Sequence, residues 1–382
     1  MGHGIAQTFA VKGYDVNLLS RSRNSLDRAI QEIKWSLDKF VKKRSISNGK
    51  AEAALSRIRT TTSYVEAVGD VDLALESISE NMELKRQVFS KIDELAPSHT
   101  IIATNTSTLS VSEMGNATKR PEKTVGMHWF IPPQLTQLIE VIRGKDTSNK
   151  TLNVIMDVSR RLGKTPILCK KDARGFIVSR ILVAAFNEAF WTYSRKEASM
   201  KEIDASVRYS GGFPMGWFEL VDFVGVDVEY DVSKILHEAH GERYRPCLEL
   251  TETLVKEKRL GRKTKNGFYD WRRGRPDIPA DLAGKYDVER SWAVAVNEAA
   301  WMILEDVAEP DSIDLGMKLG TGWPSGPCEY ADKRGLDMML KKLEAAYSRY
   351  SIELYKPCPL LKDYVKKGRT GKKAEKGFHK YR

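Results

Sequence analysis

The carboxyl-terminal half of this chain repeats itself at a constant displacement, and that repeat constrains the fold more than any other feature. Asn187-Glu188-Ala189-x-Trp191 recurs as Asn297-Glu298-Ala299-x-Trp301, and Gly212-Phe213-Pro214-Met215-Gly216 as Gly322-Trp323-Pro324-Ser325-Gly326. Glu219, Asp222, Gly225 and Asp227 return as Glu329, Asp332, Gly335 and Asp337. Gly261-Arg262-Lys263 with Gly267-Phe268 matches Gly371-Lys372-Lys373 with Gly377-Phe378, and Pro246-Cys247 matches Pro357-Cys358 one residue later. So many aligned identities mark an internal duplication. Strand patterns fade after residue 171, so the reading is two tandem all-α domains, at 171–272 and 288–382, each long enough for its own core. The Arg, Pro, Asp and Gly-rich run at 272–283 reads as a surface connection between them.

Before the repeat, helical and strand patterns alternate. A helix is expected at 2–12, a strand at 15–20 and a long helix from Asn24, followed by strands at 71–78, 100–106, 124–130 and 137–143. Alternation of this kind implies a mostly parallel sheet covered by helices. The fold class is therefore α/β, a doubly wound Rossmann-type domain over 1–170 followed by the helical pair.

Three turns in this domain carry polar groups. Ala103-Thr104-Asn105-Thr106-Ser107-Thr108 supplies hydroxyls, Val125-Gly126-Met127-His128-Trp129-Phe130 an imidazole, and Leu138-Ile139-Glu140-Val141 a carboxylate. An imidazole, an orienting acid and a polar anchor are the parts of a general base acting on an alcohol. Taken singly, each has a blander reading: a serine that caps a turn, a packed histidine, a glutamate at a strand edge. In this order and separation they resemble the Asn-Thr-Ser-Ser and Gly-x-His-Phe-Phe-Asn-Pro motifs, and the glutamate after them, of the L-3-hydroxyacyl-CoA dehydrogenases. The duplicated module resembles that family's C-terminal domain, which mediates dimerisation in single-copy relatives. The likeness spans essentially the whole chain.

The resemblance implies an NAD(P)-dependent oxidation of an L-3-hydroxyacyl-CoA to the 3-ketoacyl-CoA, with a short-chain substrate such as 3-hydroxybutyryl-CoA. His128 is then the base, Glu140 its orienting carboxylate, and Ser107 a contact to the substrate oxygen or the nicotinamide. Glu80 and Lys85 match cofactor contacts, while Ser36 and Lys43 match contacts to the coenzyme A arm. The blander account of these four is surface charge and helix-end chemistry. Two positions depart from the family: Ile131 stands where it has asparagine, and Ser179 replaces asparagine in Gly175-Phe176-Ile177-Val178-Ser179-Arg180. A lost transition-state hydrogen bond costs about 2 to 4 kcal/mol. The alternative reading is accordingly a catalytically impaired paralogue that binds acyl-CoA or a protein.

Met1-Gly2-His3-Gly4-Ile5-Ala6-Gln7 resembles the family's glycine fingerprint entered part-way, with Gly2 at the pyrophosphate. The first strand and the first two glycines are missing, and a strand edge is expected to lie unpaired. The favoured explanation is a start assigned about 10 to 20 residues late, and the competing one a truncated, inactive product. At the end of the second strand of such domains NAD enzymes carry an acidic residue. Here Ser20 and Arg21 stand instead, which admits NADP through pairing with a 2′-phosphate, or else is a solvated loop with Asn24 capping the next helix.

With 41% hydrophobic and 30% charged residues in 382, the chain has material for two or three cores. Cys169, Cys247, Cys328 and Cys358 form no C-x-x-C pair, which argues against structural zinc and a disulfide framework and for a reducing compartment, the cytoplasm. No run nears the roughly 20 apolar residues of a membrane span, and no signal peptide is apparent. The net charge of +11 gathers in clusters such as Lys42-Lys43-Arg44, Arg272-Arg273-Gly274-Arg275 and Lys366-Lys367-Gly368-Arg369. No nucleic-acid motif accompanies them, so neither nucleic acid nor membrane is an expected partner. The second helical copy is expected to fill the partner's place in cis, leaving a monomer or weak homodimer. The chain ends inside that copy, so no fused hydratase activity is expected.

Overall fold

The computed structural model describes residues 1–381, which divide into two compact units, 1–173 and 174 onward. In the first unit the elements run α1 (Gly2–Val11), β1 (Val16–Leu19), α2 (Arg23–Lys42), α3 (Asn48–Ser56), β2 (Ile58–Thr61), α4 (Tyr64–Val68), β3 (Leu73–Glu76), α5 (Met82–Leu95), β4 (Ile101–Thr104), α6 (Val111–Gly115), β5 (Thr124–Trp129), β6 (Leu138–Ile142), α7 (Asn149–Arg161) and β7 (Thr165–Cys169). Helix α2 is capped by Ser22, whose hydroxyl accepts from the Ser25 N–H at 3.3 Å. Asn24, the expected cap, lies inside the helix, two residues past the position where a side chain can turn back on the first free N–H groups.

The seven strands form two sheets, a parallel pair β1-β2 and a five-stranded sheet in the order β3-β4-β5-β6-β7. All neighbours are parallel except β5 and β6. Two strands escaped the sequence reading, β2 and β7. The first is four residues with a central arginine, and the second contains Pro166, which a terminal strand tolerates and a central one does not. Between β1 and β3 lies a cavity of about 1540 Å³, lined by Val16 and Leu19 on one side, Leu73 and Leu75 on the other, and Ile5 and Phe9 of α1. The expected unpaired edge is thus present twice, once on each facing strand.

β4, β5 and β6 are buried along their length, as strands covered on both faces must be. Alternation sorts their side chains. Val125, Met127 and Trp129 of β5 join Ile139 and Val141 of β6 against Ile5, Leu152 and Ile155. Gly126, His128, Glu140 and Ile142 therefore share the opposite face, on the side where Ile102 meets Phe89, Ile92 and Met114.

The second unit is helical: α8 (Val178–Ser194), α9 (Met200–Ala205), α10 (Trp217–Val224), α11 (Val226–His240), α12 (Leu248–Lys256), α13 (Val288–Leu304), α14 (Pro310–Thr321), α15 (Pro327–Arg334), α16 (Leu336–Tyr350) and α17 (Pro359–Lys366). α8 and α13 are buried nearly all round and pack on each other, the pattern of a core helix pair. Each of the two segments closes its last loop on one aspartate. Asp222 accepts from the N–H groups of Phe268 and Tyr269, both at 2.8 Å, and Asp332 from Phe378 and His379 at the same distance. Gly267 and Gly377 allow this approach, since a Cβ there would sit 2.1 and 1.8 Å from the carboxylate oxygen. The connection at 272–283 is pinned as well as exposed: Arg275 reaches the buried Glu219 and donates to the Pro214 carbonyl at 2.7 Å, and Tyr209 donates to the Ile278 carbonyl at 3.0 Å.

Candidate active site

His128 and Glu140 are cross-strand partners in the antiparallel register of β5 and β6. Residues directly opposed in such a pair project their side chains to one face, about 4.5 to 5.5 Å apart at Cβ. The consequence is a contact of 2.6 Å between His128 Nδ1 and Glu140 Oε2. Glu140 is fully buried and His128 is 8% exposed, so the carboxylate holds the imidazole from the protein side. A donor at Nδ1 leaves the acceptor role of a neutral ring to Nε2. Phe130 packs on the imidazole at 4.5 Å between ring centroids.

Parallel pairing of β4 with β5 ends at Thr104 and Gly126, so the turn carrying Ser107 and the end of β5 carrying His128 leave the sheet at the same edge. That turn is organised by Glu80. Its Oε1 accepts from the Thr106 hydroxyl, the Ser107 N–H at 3.1 Å and the Thr108 N–H at 3.3 Å. Burial works against ionisation of Glu80, yet Lys85 and the hydrogen bonds of Thr106 and Ser107 together hold its carboxyl below the ordinary glutamate value. Asn105, which the sequence reading left without a role, accepts from the Trp129 N–H at 2.8 Å and ties the turn to β5.

Lys85 is only 1% exposed. Its ammonium donates to both Glu76 oxygens, at 2.8 and 3.0 Å, and lies 3.3 Å from Glu80. Expected at the cofactor, it is held by these two carboxylates and supports the Ser107 turn through Glu80. A buried cation needs such partners. Glu76, which has no counterpart among the expected site residues, also accepts from Thr104 at 2.7 Å.

The remaining expected positions are scattered. Ser20 and Arg21 line the large cavity at the end of β1, together with Arg59 of β2. Ser36, expected at the coenzyme A arm, is buried, with Gln134 Nε2 at 3.5 Å; the exposed neighbour is Trp35, over which Lys39 stands at 5.4 Å. Lys43 is exposed at the end of α2. Ile131 is 62% exposed beyond β5. In the helical unit Ser179 occupies the first turn of α8.

A dinucleotide needs backbone N–H groups at the start of α1 and room for its pyrophosphate. α1 opens without a side-chain cap, and a Cβ on Gly2 would meet no atom within 4 Å. Gly4 is different: a Cβ there would meet Gln134 Oε1 at 2.6 Å and Pro133 at 2.7 Å, so the helix start lies hard against the turn after β5. These residues fit the phosphate end of such a cofactor. No cluster of three or more metal-ligating side chains occurs among the described residues, and no helix is long and apolar enough to cross a membrane.

The family model described as 3-hydroxyacyl-CoA dehydrogenase, NAD binding domain matches residues 1–173, and that described as 3-hydroxyacyl-CoA dehydrogenase, C-terminal domain matches twice, at 175–271 and 286–381. A 3-hydroxybutyryl-CoA dehydrogenase of Clostridioides difficile is 39% identical over 271 residues, 71% of this chain and 96% of that protein. The mitochondrial hydroxyacyl-coenzyme A dehydrogenase of Homo sapiens is 39% identical over 279 residues, 71% of this chain and 88% of that protein. Among solved structures, 3-hydroxybutyryl-CoA dehydrogenase from Escherichia coli K12 superposes with a TM-score of 0.88 at 27% identity, over 96% of this chain and 97% of that one.

Proposed function

This chain belongs to the 3-hydroxyacyl-CoA dehydrogenase family, and we propose that it interconverts an L-3-hydroxyacyl-CoA and the 3-ketoacyl-CoA in fatty acid oxidation. The observation that carries the chemistry is the buried 2.6 Å contact between His128 and Glu140. In the oxidation, Nε2 of His128 takes the proton of the C3 hydroxyl as the carbonyl forms. Glu140 fixes the tautomer and stabilises the imidazolium, the part an orienting carboxylate plays beside a catalytic histidine. A nicotinamide dinucleotide would supply the hydride acceptor for C3. Gly2 and the start of α1 would hold its pyrophosphate side, and the Glu80-ordered turn presents Ser107 to the substrate oxygen. Ser179 gives a further hydrogen bond to the substrate, shorter in reach than an amide, and a water can complete it. Lys43 serves the phosphates of the coenzyme A arm. The comparisons lend no support to a turnover-dead acyl-CoA binder.

The finer assignments belong to the same proposal. The substrate is short-chain, in line with the 3-hydroxybutyryl-CoA dehydrogenases the chain resembles. NADP is accepted beside NAD because Ser20 removes the charge that repels a 2′-phosphate and Arg21 adds one that attracts it. The two helical segments are an internal duplication, the second occupying the place of a dimer partner, so the protein is a monomer or weak homodimer. A cytoplasmic location fits four buried cysteines with no disulfide among the described residues.

The test is consumption of reduced nicotinamide with acetoacetyl-CoA, for the wild type and His128→Gln. Turnover with NADH or NADPH that His128→Gln abolishes is expected. No turnover with either coenzyme overturns the proposal. Arg21→Asp is expected to lower the NADPH rate and spare the NADH rate; equal effects on both remove the NADP assignment.

A further inference from the structure

We propose that Glu298 and Glu305 of the second helical segment are positioning residues for the substrate-side turn of the first, holding Arg180 and through it Ser179. This rests on the assignment of Ser179 to the substrate made above.

The chain enters α8 through two consecutive left-handed residues, Gly175 at φ +77° and Phe176 at φ +50°. Glycine adopts such backbone freely, but a residue with a side chain, such as Phe176, persists there only where its surroundings impose it. Four residues later Arg180 lies fully buried. Its Nε donates to Glu298 at 2.7 Å and its Nη2 to Glu305 at 2.8 Å, while Nη1 makes no hydrogen bond. Both anchors of the guanidinium therefore come from the other segment. Arg243 donates to the second oxygen of Glu305 at 2.7 Å, and Tyr244 donates to the Arg180 carbonyl at 3.1 Å, which closes the cluster around the first turn of α8. A guanidinium does not deprotonate, so it stays where its carboxylates are. Adjacent Cα atoms lie about 3.8 Å apart, and a shift of Arg180 carries Ser179 with it.

The molecule contains its own control. At the matching place in the second segment Arg290 lies 3.1 Å from Glu188 and 2.8 Å from Glu197, both of the first segment. The exchange is reciprocal, as in an isologous interface. The residue before Arg290, however, is Glu289, whose carboxylate accepts from Tyr330 at 2.8 Å and Arg334 at 2.6 Å. The same ion-pair device is built twice, and only one copy supports a position assigned to the substrate.

The experiment compares Glu298→Gln with Glu188→Gln in the full chain, measuring kcat, KM for acetoacetyl-CoA and the thermal midpoint. Both variants are expected to lower the midpoint. Glu298→Gln is expected to lower kcat roughly 10- to 100-fold, the scale of a misplaced contact, while Glu188→Gln leaves kcat within about twofold. In a Ser179→Ala background Glu298→Gln should cost little more, since coupled residues are not additive. If Glu298→Gln fails to fold, Glu305→Gln, at a carboxylate one-third exposed, takes its place. Equal losses of kcat from the two glutamine variants, or full additivity with Ser179→Ala, overturn the positioning role. A Ser179→Ala enzyme with unchanged kcat overturns the site assignment itself, and this proposal with it.

Discussion

The two helical segments share a skeleton and differ in what they hang on it. In both, an aspartate closes the terminal loop, Asp222 in one and Asp332 in the other. A second aspartate in each, Asp204 and Asp314, accepts from the N–H groups that open α10 and α15, at 2.8 to 3.1 Å. Phe213 and Trp323, from the matching turns, meet edge to face at 4.9 Å. Where the first segment has Ser179, Glu229 and Tyr269, the second has Glu289, Met339 and His379. The buried carboxylates that organise backbone stand in both segments, while Ser179, proposed above as a substrate contact, stands in the first alone.

The largest effect expected from this comparison is on the shared part. Asp222→Ala and Asp332→Ala each remove a charged acceptor from two backbone N–H groups. Charge-assisted bonds contribute about 1.5 to 3 kcal/mol each, so each variant should lose about 3 to 6 kcal/mol in a denaturant titration. Tolerance of either change would break the equivalence of the two clamps. Next comes the unshared part. Ser179→Ala should lower kcat/KM roughly 100-fold, the cost of a lost transition-state donor, whereas Glu289→Ala should leave it unchanged.

A smaller effect concerns Glu229. Burial pushes its carboxyl up to about 8 against the hydrogen bond from Ser233, and the matching residue, Met339, is apolar. Glu229→Met should stabilise the protein by about 1 to 3 kcal/mol at neutral pH. The folded state holds a proton that the unfolded chain releases, so wild-type stability falls as pH rises from 4.5 to about 8. The variant should lack that fall, and parallel wild-type and variant profiles would contradict it. The smallest effect is at His379, 2.8 Å from Asp314 where the first segment has Tyr269. The Asp314 hydrogen bond raises its pKa, so its contribution is present below 6.5 and is lost as pH rises through the raised value. Hydrogen exchange of the loop at 371–381 should quicken over that range, and His379→Tyr should abolish the change.

What could be read in advance follows the range of the interactions. His128 and Glu140 were legible through the resemblance of their motifs, since most His–Glu pairs twelve positions apart never meet; the antiparallel register of two buried strands is what brings them to 2.6 Å. The repeat was legible because identity at a fixed spacing needs no structure. Strand β7 was hidden by Pro166, whose place at the sheet edge is a tertiary fact. The burial of Lys85 was hidden by its position in a charged helix turn; only the fold brings Glu76 beneath it. Arg180 meets carboxylates 118 and 125 residues away, and no local pattern announces them. The expected unpaired strand edge, by contrast, followed from counting elements, and the split between β1 and β3 bears it out.

The central claim is that an imidazole steered by a buried acid removes the hydroxyl proton. Glu140→Gln keeps the shape of the side chain and removes its charge, so kcat for acetoacetyl-CoA reduction measures the claim with the least disturbance of the fold. The account predicts a fall of about 10³- to 10⁴-fold, the scale seen when a catalytic histidine loses its carboxylate, with KM and the thermal midpoint little changed. A Glu140→Gln enzyme that turns over at the wild-type rate contradicts it.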